Sequence, residues 1–384
     1  MQSLEEYATA KLLHLESKNL KRSLVETHRS INGRAKRSGR DLISFACNDY
    51  LNLSGDPRVG KAAQDAIQKY GAGAGASRLV TGNHPLYQDL EKRLARLKGT
   101  EDACVFGSGY LANLGIIPSL VGPEDLIVVD ELSHACILAA SELSSAHVKI
   151  FKHNDTRHVG EILEQFRSQH PHAMILTDGV FSMDGDLAPL NELCVLAQTF
   201  DSWLMTDDAH GVGVLGAGRG STFFGSVKVG IPLQMGTLSK AIGSYGGYLC
   251  ASKSVISLMR TRARTLIYST GLPPAVIAAS IAALQIIEDE PELSEKPLKN
   301  ARLFAQVLGI TKVDSCIVPL VIGDPKQTLD ASDLLEREGY LVTAIRPPTV
   351  PEGTARLRFA FTAAHNEHDI LRLGKIVKQN ILKG

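Results

Sequence analysis

Trp203-Leu-Met-Thr-Asp207-Asp-Ala-His210 and Leu233-Gln-Met-Gly-Thr-Leu-Ser-Lys240 are two short apolar runs, each leading straight into reactive polar residues. Runs this short, followed by polar residues and glycine, read as buried strands rather than helices. Working outward, similar runs recur at 103–106, 126–130, 173–178 and 248–251, with helix-like segments between them. That alternation predicts an α/β domain over residues 45–290, with helices on both faces of a mainly parallel sheet. Beyond the charged Glu288-Asp-Glu-Pro-Glu292 the chain mixes strands (316–322, 356–361) with helices (331–338, 367–381), which predicts a smaller C-terminal α+β domain over 291–384. Residues 1–44 form an N-terminal segment, helix-like to about residue 30, with Leu4, Tyr7, Ala8, Leu12 and Leu15 on one face of an arm that packs on something else. The apolar stretch 273–287 is too short to span a bilayer and predicts a helix packed in protein.

At 384 residues the chain has room for two domains. Lys plus Arg equals Asp plus Glu at 41 each, so global charge gives no reason to expect nucleic-acid or membrane-surface binding. The 6 cysteines are scattered with no Cys-x-x-Cys, and read as small buried residues of a reducing cytoplasm. Glu5, Glu6 and Lys11 interrupt what a signal peptide would need as an apolar region.

Several motifs fail on context. Gly211-Val-Gly213-Val-Leu-Gly216 follows a strand but runs into Ala217-Gly-Arg-Gly220 instead of a helix, and no ribose-binding acid follows it. In Gly55-Asp-Pro-Arg-Val-Gly60-Lys61 the residue after lysine is Ala62, and Asp56-Pro57 reads as a helix start that puts Gly60 inside a helix. His365-Asn-Glu-His368 lacks a third ligand, so these read as solvated histidines near a helix start, and no metal is expected.

What survives is Lys240 behind a Thr/Ser cluster, downstream of Asp207. A lysine amine can form a Schiff base with an aldehyde, an acid can keep a pyridine nitrogen protonated, and hydroxyls with backbone N–H groups can hold a phosphate, which together suit pyridoxal phosphate. Two features support this. Residues 209–287 contain no carboxylate but carry Arg219, Lys228, Lys240, Lys253, Arg260, Arg262 and Arg264, a local excess suited to anions, although the 260–264 run could equally be a solvated face. Phe106-Gly-Ser108-Gly-Tyr110 opens a helix-like segment after a strand, where free N–H groups can bind phosphate; alone, it could be a plain strand-to-helix turn.

Asn48-Asp-Tyr-Leu51 is followed in order by Ser108-Gly-Tyr-Leu-Ala-Asn113, Ser133-His134-Ala, Asp178-Gly-Val-Phe-Ser182-Met-Asp-Gly, Thr206-Asp207-Asp-Ala-His210-Gly and Thr237-Leu-Ser-Lys240. Over essentially the full length this series resembles the α-oxoamine synthases, pyridoxal phosphate enzymes of the aspartate-aminotransferase fold (fold type I). The resemblance implies that Lys240 carries the cofactor and later moves the Cα proton, that Asp207 pairs with the ring nitrogen, that His134 stacks on the ring, and that His210 and Ser182 contact its hydroxyl. It implies Ser108, Gly109, Tyr110 and Thr237 at the phosphate, with Thr270 reaching it from a second subunit. Arg358 matches the clamp for the amino-acid carboxylate, and Arg22, Asn48, Arg346 and Thr349 match substrate-facing positions. Residues 266–274 and 343–351 look most like the member that joins L-alanine to a pimeloyl thioester, on CoA or a carrier protein, in biotin synthesis. Sister members using glycine or serine with another acyl-CoA, such as 2-amino-3-ketobutyrate CoA ligase, are the alternative. A cytoplasmic homodimer with its active site at the subunit interface is also implied.

Overall fold

A computed structural model describes residues 2–225 and 229–382; Lys228 lies outside the described residues. The chain divides into two compact units, one comprising Asp49–Ser182 and Asp186–Pro297, the other the chain up to Asn48, Met183–Gly185 and the chain from Leu298 on.

The discontinuous unit opens with helix α1 (Gln2–Ser17), which buries no residue and ends well before the predicted residue 30. The chain then forms β1 (Thr27–Arg29), β2 (Arg34–Arg37) and β3 (Arg40–Ser44), where Gly33 at φ 67° and Gly39 at φ 79° make the turns between successive strands.

In the larger unit, Asp56 caps α2 (Pro57–Tyr70) by accepting from the Arg58 N–H, so Gly60 lies within a helix as the Asp-Pro signal predicts. There follow α3 (Leu86–Lys98), β4 (Asp102–Phe106), α4 (Gly109–Leu120), β5 (Leu126–Asp130), α5 (Ala135–Ser144), β6 (His147–Phe151), α6 (Thr156–Phe166), β7 (Ala173–Asp178), α7 (Leu190–Thr199), β8 (Trp203–Asp207), β9 (Leu233–Thr237), β10 (Gly247–Ala251), α8 (Lys253–Arg262), α9 (Arg264–Ile267) and α10 (Pro274–Asp289). The sheet has seven strands in the order β4-β10-β9-β8-β7-β5-β6. All neighbours among β9, β8, β7, β5 and β6 are parallel, while β10 runs antiparallel between β4 and β9. The carboxyl ends of β4, β5, β7, β8 and β9 therefore share one edge, the edge at which open α/β sheets bind ligands. Among the described residues, one apolar core of the unit holds Phe106, Ile116, Val129 and Met259, and another holds Phe151, Ile162, Phe181 and Leu193. The 273–287 stretch is α10, with Ile277, Ala283, Leu284 and Ile287 buried, and it packs on α2. No helix among the described residues is long and apolar enough to cross a membrane.

Helix α11 (Pro291–Leu308) leads back to the discontinuous unit, which continues with β11 (Ile317–Gly323), α12 (Pro325–Arg337), β12 (Tyr340–Leu341), β13 (Thr343–Ile345), β14 (Ala355–Ala360) and α13 (Glu367–Asn380). β12 pairs in parallel with β3 to complete a four-stranded sheet, and β11, β14 and β13 form a separate antiparallel one. Phe45, Phe304, Phe359 and Phe361 centre the core of this unit. His365 is not solvated as expected: it is 7% exposed, its Nε2–H donates to the Ser44 carbonyl at 2.9 Å, and its ring stacks on Phe45. His368 remains exposed.

Candidate active site

The shared edge of the large sheet collects most of the residues singled out from sequence. β8 ends in Asp207, 4% exposed, whose Oδ2 accepts from Asn113 Nδ2 at 2.8 Å and whose Oδ1 accepts from the Ala209 N–H at 3.0 Å. Just past β9, Lys240 Nζ lies 2.7 Å from His210 Nε2, and His210 Nδ1 lies 2.6 Å from Tyr50 OH. Amine, imidazole and phenol thus form one hydrogen-bonded chain along which a proton can be shared.

His134 caps α5 after β5, and its main-chain N–H donates to Asp178 Oδ2 at 2.9 Å. Its Nδ1 accepts from the Cys136 N–H at 3.3 Å and lies 2.8 Å from Cys136 Sγ. Burial pushes the Cys136 thiol up to about 12, with the Asp207 carboxylate adding to the effect. The thiol therefore keeps its proton and donates it to Nδ1, while Sγ accepts from Asn113 Nδ2 at 3.0 Å. This leaves the remaining imidazole proton on Nε2. Burial holds the His134 pKa below its ordinary value, Asp207 opposing and Lys240 assisting the depression, so the ring is neutral near pH 7. The residue is exposed overall; the desolvation is that of the Nδ1 edge against Cys136. Burial and the neighbouring Asp207 charge likewise push Asp178 well up.

Ser108 caps α4, its Oγ accepting from the Leu111 N–H at 3.1 Å. The first N–H groups of α4, from Gly109 and Tyr110, have no partner within the helix. A Cβ on Gly109 would lie 3.5 Å from the Thr237 Cβ, so Thr237 flanks the same helix start. On Gly247 a Cβ would meet the Ser108 carbonyl oxygen at 2.5 Å, so strand β10 can run against this turn only with glycine there. The result is a helix start whose N–H groups can face an anion, with the Thr237 hydroxyl beside them donating to the Gly246 carbonyl at 2.7 Å. Ser133 Oγ and Asn113 Oδ1 are buried without a protein partner, leaving hydrogen-bonding capacity beside His134 and Asp207. Ser182 is half-buried in the turn after β7, and Thr270 is exposed, bridged to Ser77.

The remaining candidates belong to the discontinuous unit. Buried Arg358 donates to Asn48 Oδ1 at 3.0 Å, and Arg22 donates to Thr349 Oγ1 at 2.8 Å. Arg346 donates to the Asn19 carbonyl, and burial together with the nearby Arg22 guanidinium holds its pKa below the usual value. Two arginines of the basic run over 209–287 are engaged in internal contacts. Arg260 pairs with Asp102 at 2.9 Å and Glu91 at 3.1 Å, and Arg219 donates to the Leu97 carbonyl while covering the Phe223 ring. Tyr50, Asn113, Cys136 and Asp178 escaped selection from sequence; Tyr50, Asn113 and Asp178 stood inside quoted motifs, whereas Cys136 carried no signal of its own.

The family profile described as Aminotransferase class I and II matches residues 40–376. The chain belongs to that family. Within the aminotransferase class it falls with the α-oxoamine synthases. It is 62% identical over 342 residues to the 8-amino-7-oxononanoate synthase of Methylocella silvestris, covering 89% of this chain and 97% of that one. It is 58% identical over 377 residues to the enzyme of the same name from Beijerinckia indica, covering 98% of each. Among solved structures, serine palmitoyltransferase from S. paucimobilis with bound PLP-myriocin aldimine superposes with a TM-score of 0.91 at 28% identity, covering 98% of this chain and 97% of that chain. The aminotransferase-class fold of type I is therefore the fold of this chain.

Proposed function

We propose that the protein binds pyridoxal phosphate and catalyses the decarboxylative condensation of L-alanine with a pimeloyl thioester, releasing 8-amino-7-oxononanoate, carbon dioxide and a thiol. The observation that carries the proposal is the convergence of Lys240, His210 and Asp207 on one sheet edge, with Lys240 Nζ 2.7 Å from His210 Nε2. Identity of 58% and 62% to two relatives named for this product supports the choice of substrates.

The residues fit the cofactor. Ser108, Gly109, Tyr110 and Thr237 would hold its phosphate, and Asp207, oriented by Asn113 and the Ala209 N–H, would pair with its ring nitrogen. His134 would lie against the ring face as a neutral imidazole, with Ser182 and His210 at the ring hydroxyl. When bound, pyridoxal phosphate supplies an aldehyde that takes up an amine and a ring that accepts the electrons released at Cα.

The amine of Lys240 takes the Cα proton of alanine as general base and returns it after carbon dioxide has left. Its contact with His210, itself tied to Tyr50, orients the amine and shares the proton. Arg358 grips the alanine carboxylate through its planar guanidinium, oriented by Asn48. Arg22, Arg346 and Thr349 face the acyl substrate, where the Arg22–Thr349 bond and the absence of an acid in either arginine's described contacts suit an anionic group. We further place the enzyme in the cytoplasm as a homodimer in which Thr270 reaches the partner's phosphate site, a role its exposure permits.

The test is thiol release from pimeloyl-CoA and from a pimeloyl carrier protein by the cofactor-loaded enzyme, comparing L-alanine, glycine and L-serine. Release with alanine supports the proposal. Release with serine or glycine but not alanine assigns the chain to a sister activity, the serine reading being the one favoured by the serine palmitoyltransferase likeness.

A further inference from the structure

Outside the contacts assigned to the cofactor, one histidine is held at both ring nitrogens by carboxylates. His153 follows β6, and its Nδ1 lies 3.0 Å from Asp130 Oδ1 while its Nε2 lies 2.8 Å from Asp186 Oδ2. With an acceptor at each nitrogen, both must carry hydrogen, so the ring is an imidazolium. Burial alone would depress it, but the hydrogen bonds to Asp130 and Asp186 outweigh burial and lift it to about 10. The edge of Phe181 packs at 90° with centroids 4.4 Å apart, and Asn154 doubles the tie by donating Nδ2 to Asp186 Oδ2 at 2.9 Å and its N–H to Asp130 Oδ2 at 2.9 Å.

What these two carboxylates organise gives the arrangement its meaning. Asp130 is fully buried at the end of β5; its Oδ1 also accepts from the Leu132 N–H at 2.8 Å, and its carbonyl accepts from the Ser133 N–H at 3.1 Å. It therefore shapes the turn that runs into His134. Asp186 closes the turn after β7, its carbonyl accepting from the Phe181 N–H at 3.0 Å beside the Val180–Leu187 bridge, and that turn contains Ser182.

We propose that His153 is a positioning residue for the cofactor site, an imidazolium tie that sets the His134 turn and the Ser182 turn against each other. The inference rests on the cofactor assignment above. A neutral side chain at 153 would remove the positive charge that now lies between the two carboxylates, and a neutral imidazole could donate to only one of them.

The test titrates cofactor-stripped wild type, His153→Gln and Asp186→Asn with pyridoxal phosphate, following the visible band of the bound cofactor, with melting of each stripped protein as a control. The expected result is an approximately tenfold weaker Kd for each variant, the loss of about one charge-assisted hydrogen bond, together with a displaced absorbance band. The double variant should bind no worse than the weaker single one, because both substitutions cut the same tie. Variants that melt earlier yet bind with wild-type Kd and an unchanged band would overturn the tie and leave the cofactor assignment standing. A wild type that binds no pyridoxal phosphate overturns both. If His153→Gln does not fold, the titration of Asp186→Asn, at a partly exposed carboxylate, decides alone.

Discussion

Replacing Lys98 with methionine removes one half of an ion pair in which both side chains are 0% exposed. Lys98 Nζ donates to Asp208 Oδ2 and to the Arg219 carbonyl, each at 2.7 Å. Asp208 in turn accepts the Ser221 N–H on both oxygens at 3.1 Å, and a Cβ on Gly211 or Gly220 would lie 2.1 or 1.8 Å from its oxygens. The glycine-rich loop after His210 is thus wrapped around this carboxylate. Methionine fills the volume but leaves Asp208 with amide donors only, and breaking one side of a buried pair costs about 3–5 kcal/mol. At roughly 2–4 °C per kcal/mol for a domain of this size, the melting midpoint should fall by about 10 °C. Adding Asp208→Asn preserves the shape and the acceptor for Ser221 while removing the unpaired charge, so the double variant should recover about half of the loss or more. Scanning calorimetry or circular-dichroism melts of the wild type, both single variants and the double variant give the comparison. A loss under about 1 kcal/mol for Lys98→Met, or a double variant less stable than either single one, would refute the reasoning, since the charge left behind could not then be the dominant cost.

Lys240→Ala should melt within a few degrees of wild type yet lose about 10²–10⁴-fold in turnover, the range for a general base; exchange of the alanine Cα hydrogen with solvent deuterium reads the same step directly. Gly247→Ala should weaken cofactor binding by displacing the Ser108 turn, because its Cβ would stand 2.5 Å from a main-chain oxygen; equilibrium dialysis with pyridoxal phosphate checks it. Cys136→Ala should raise the His134 pKa toward 6.5 by opening its Nδ1 edge to water, and Cys136→Ser should restore the donor; nuclear magnetic resonance titration of the ring separates the two. Burial depresses His365 to about 4. The unfolded chain takes its proton near 6.5, so this histidine costs nothing above that pH and removes stability as pH falls from about 6.5 to about 4, up to about 3 kcal/mol. A nontitrating His365→Gln variant should show a flatter loss over that window in urea melts.

The strands of the large sheet were legible where both faces are buried, since β5, β7 and β8 are unbroken apolar runs. The edge strand β6 was not, because His147-Val-Lys-Ile-Phe151 buries only Phe151 fully and mixes charge with apolar residues. Helix α12 begins at Pro325, behind the Asp324 cap, ahead of the apolar spacing that marked its start from sequence. The pairing of β3 with β12 joins segments nearly three hundred residues apart, and no local pattern encodes such a partner. At the site, Asp207 and Lys240 were visible because they close recognisable runs. Cys136 was not: a lone cysteine carries meaning only once the fold sets it against His134 and Asn113. His365 misled for the converse reason, as a polar residue at a helix start gives no sign that a carbonyl and an aromatic ring will enclose it.

The reversed direction of β10 has a kinetic corollary. Because Gly247 pairs directly with Thr237, the lysine is carried on a hairpin loop closed by Leu238 N–H to Gly246 O and Ser244 N–H to Leu238 O, both at 2.9 Å, and by Gly243 N–H to the carbonyl of Lys240 itself at 2.9 Å. Its backbone is a fixed pivot, and the amine travels on a four-carbon tether. Shuttling between reaction partners then requires only rotamer changes on the picosecond-to-nanosecond scale, with no loop to reorder in each cycle.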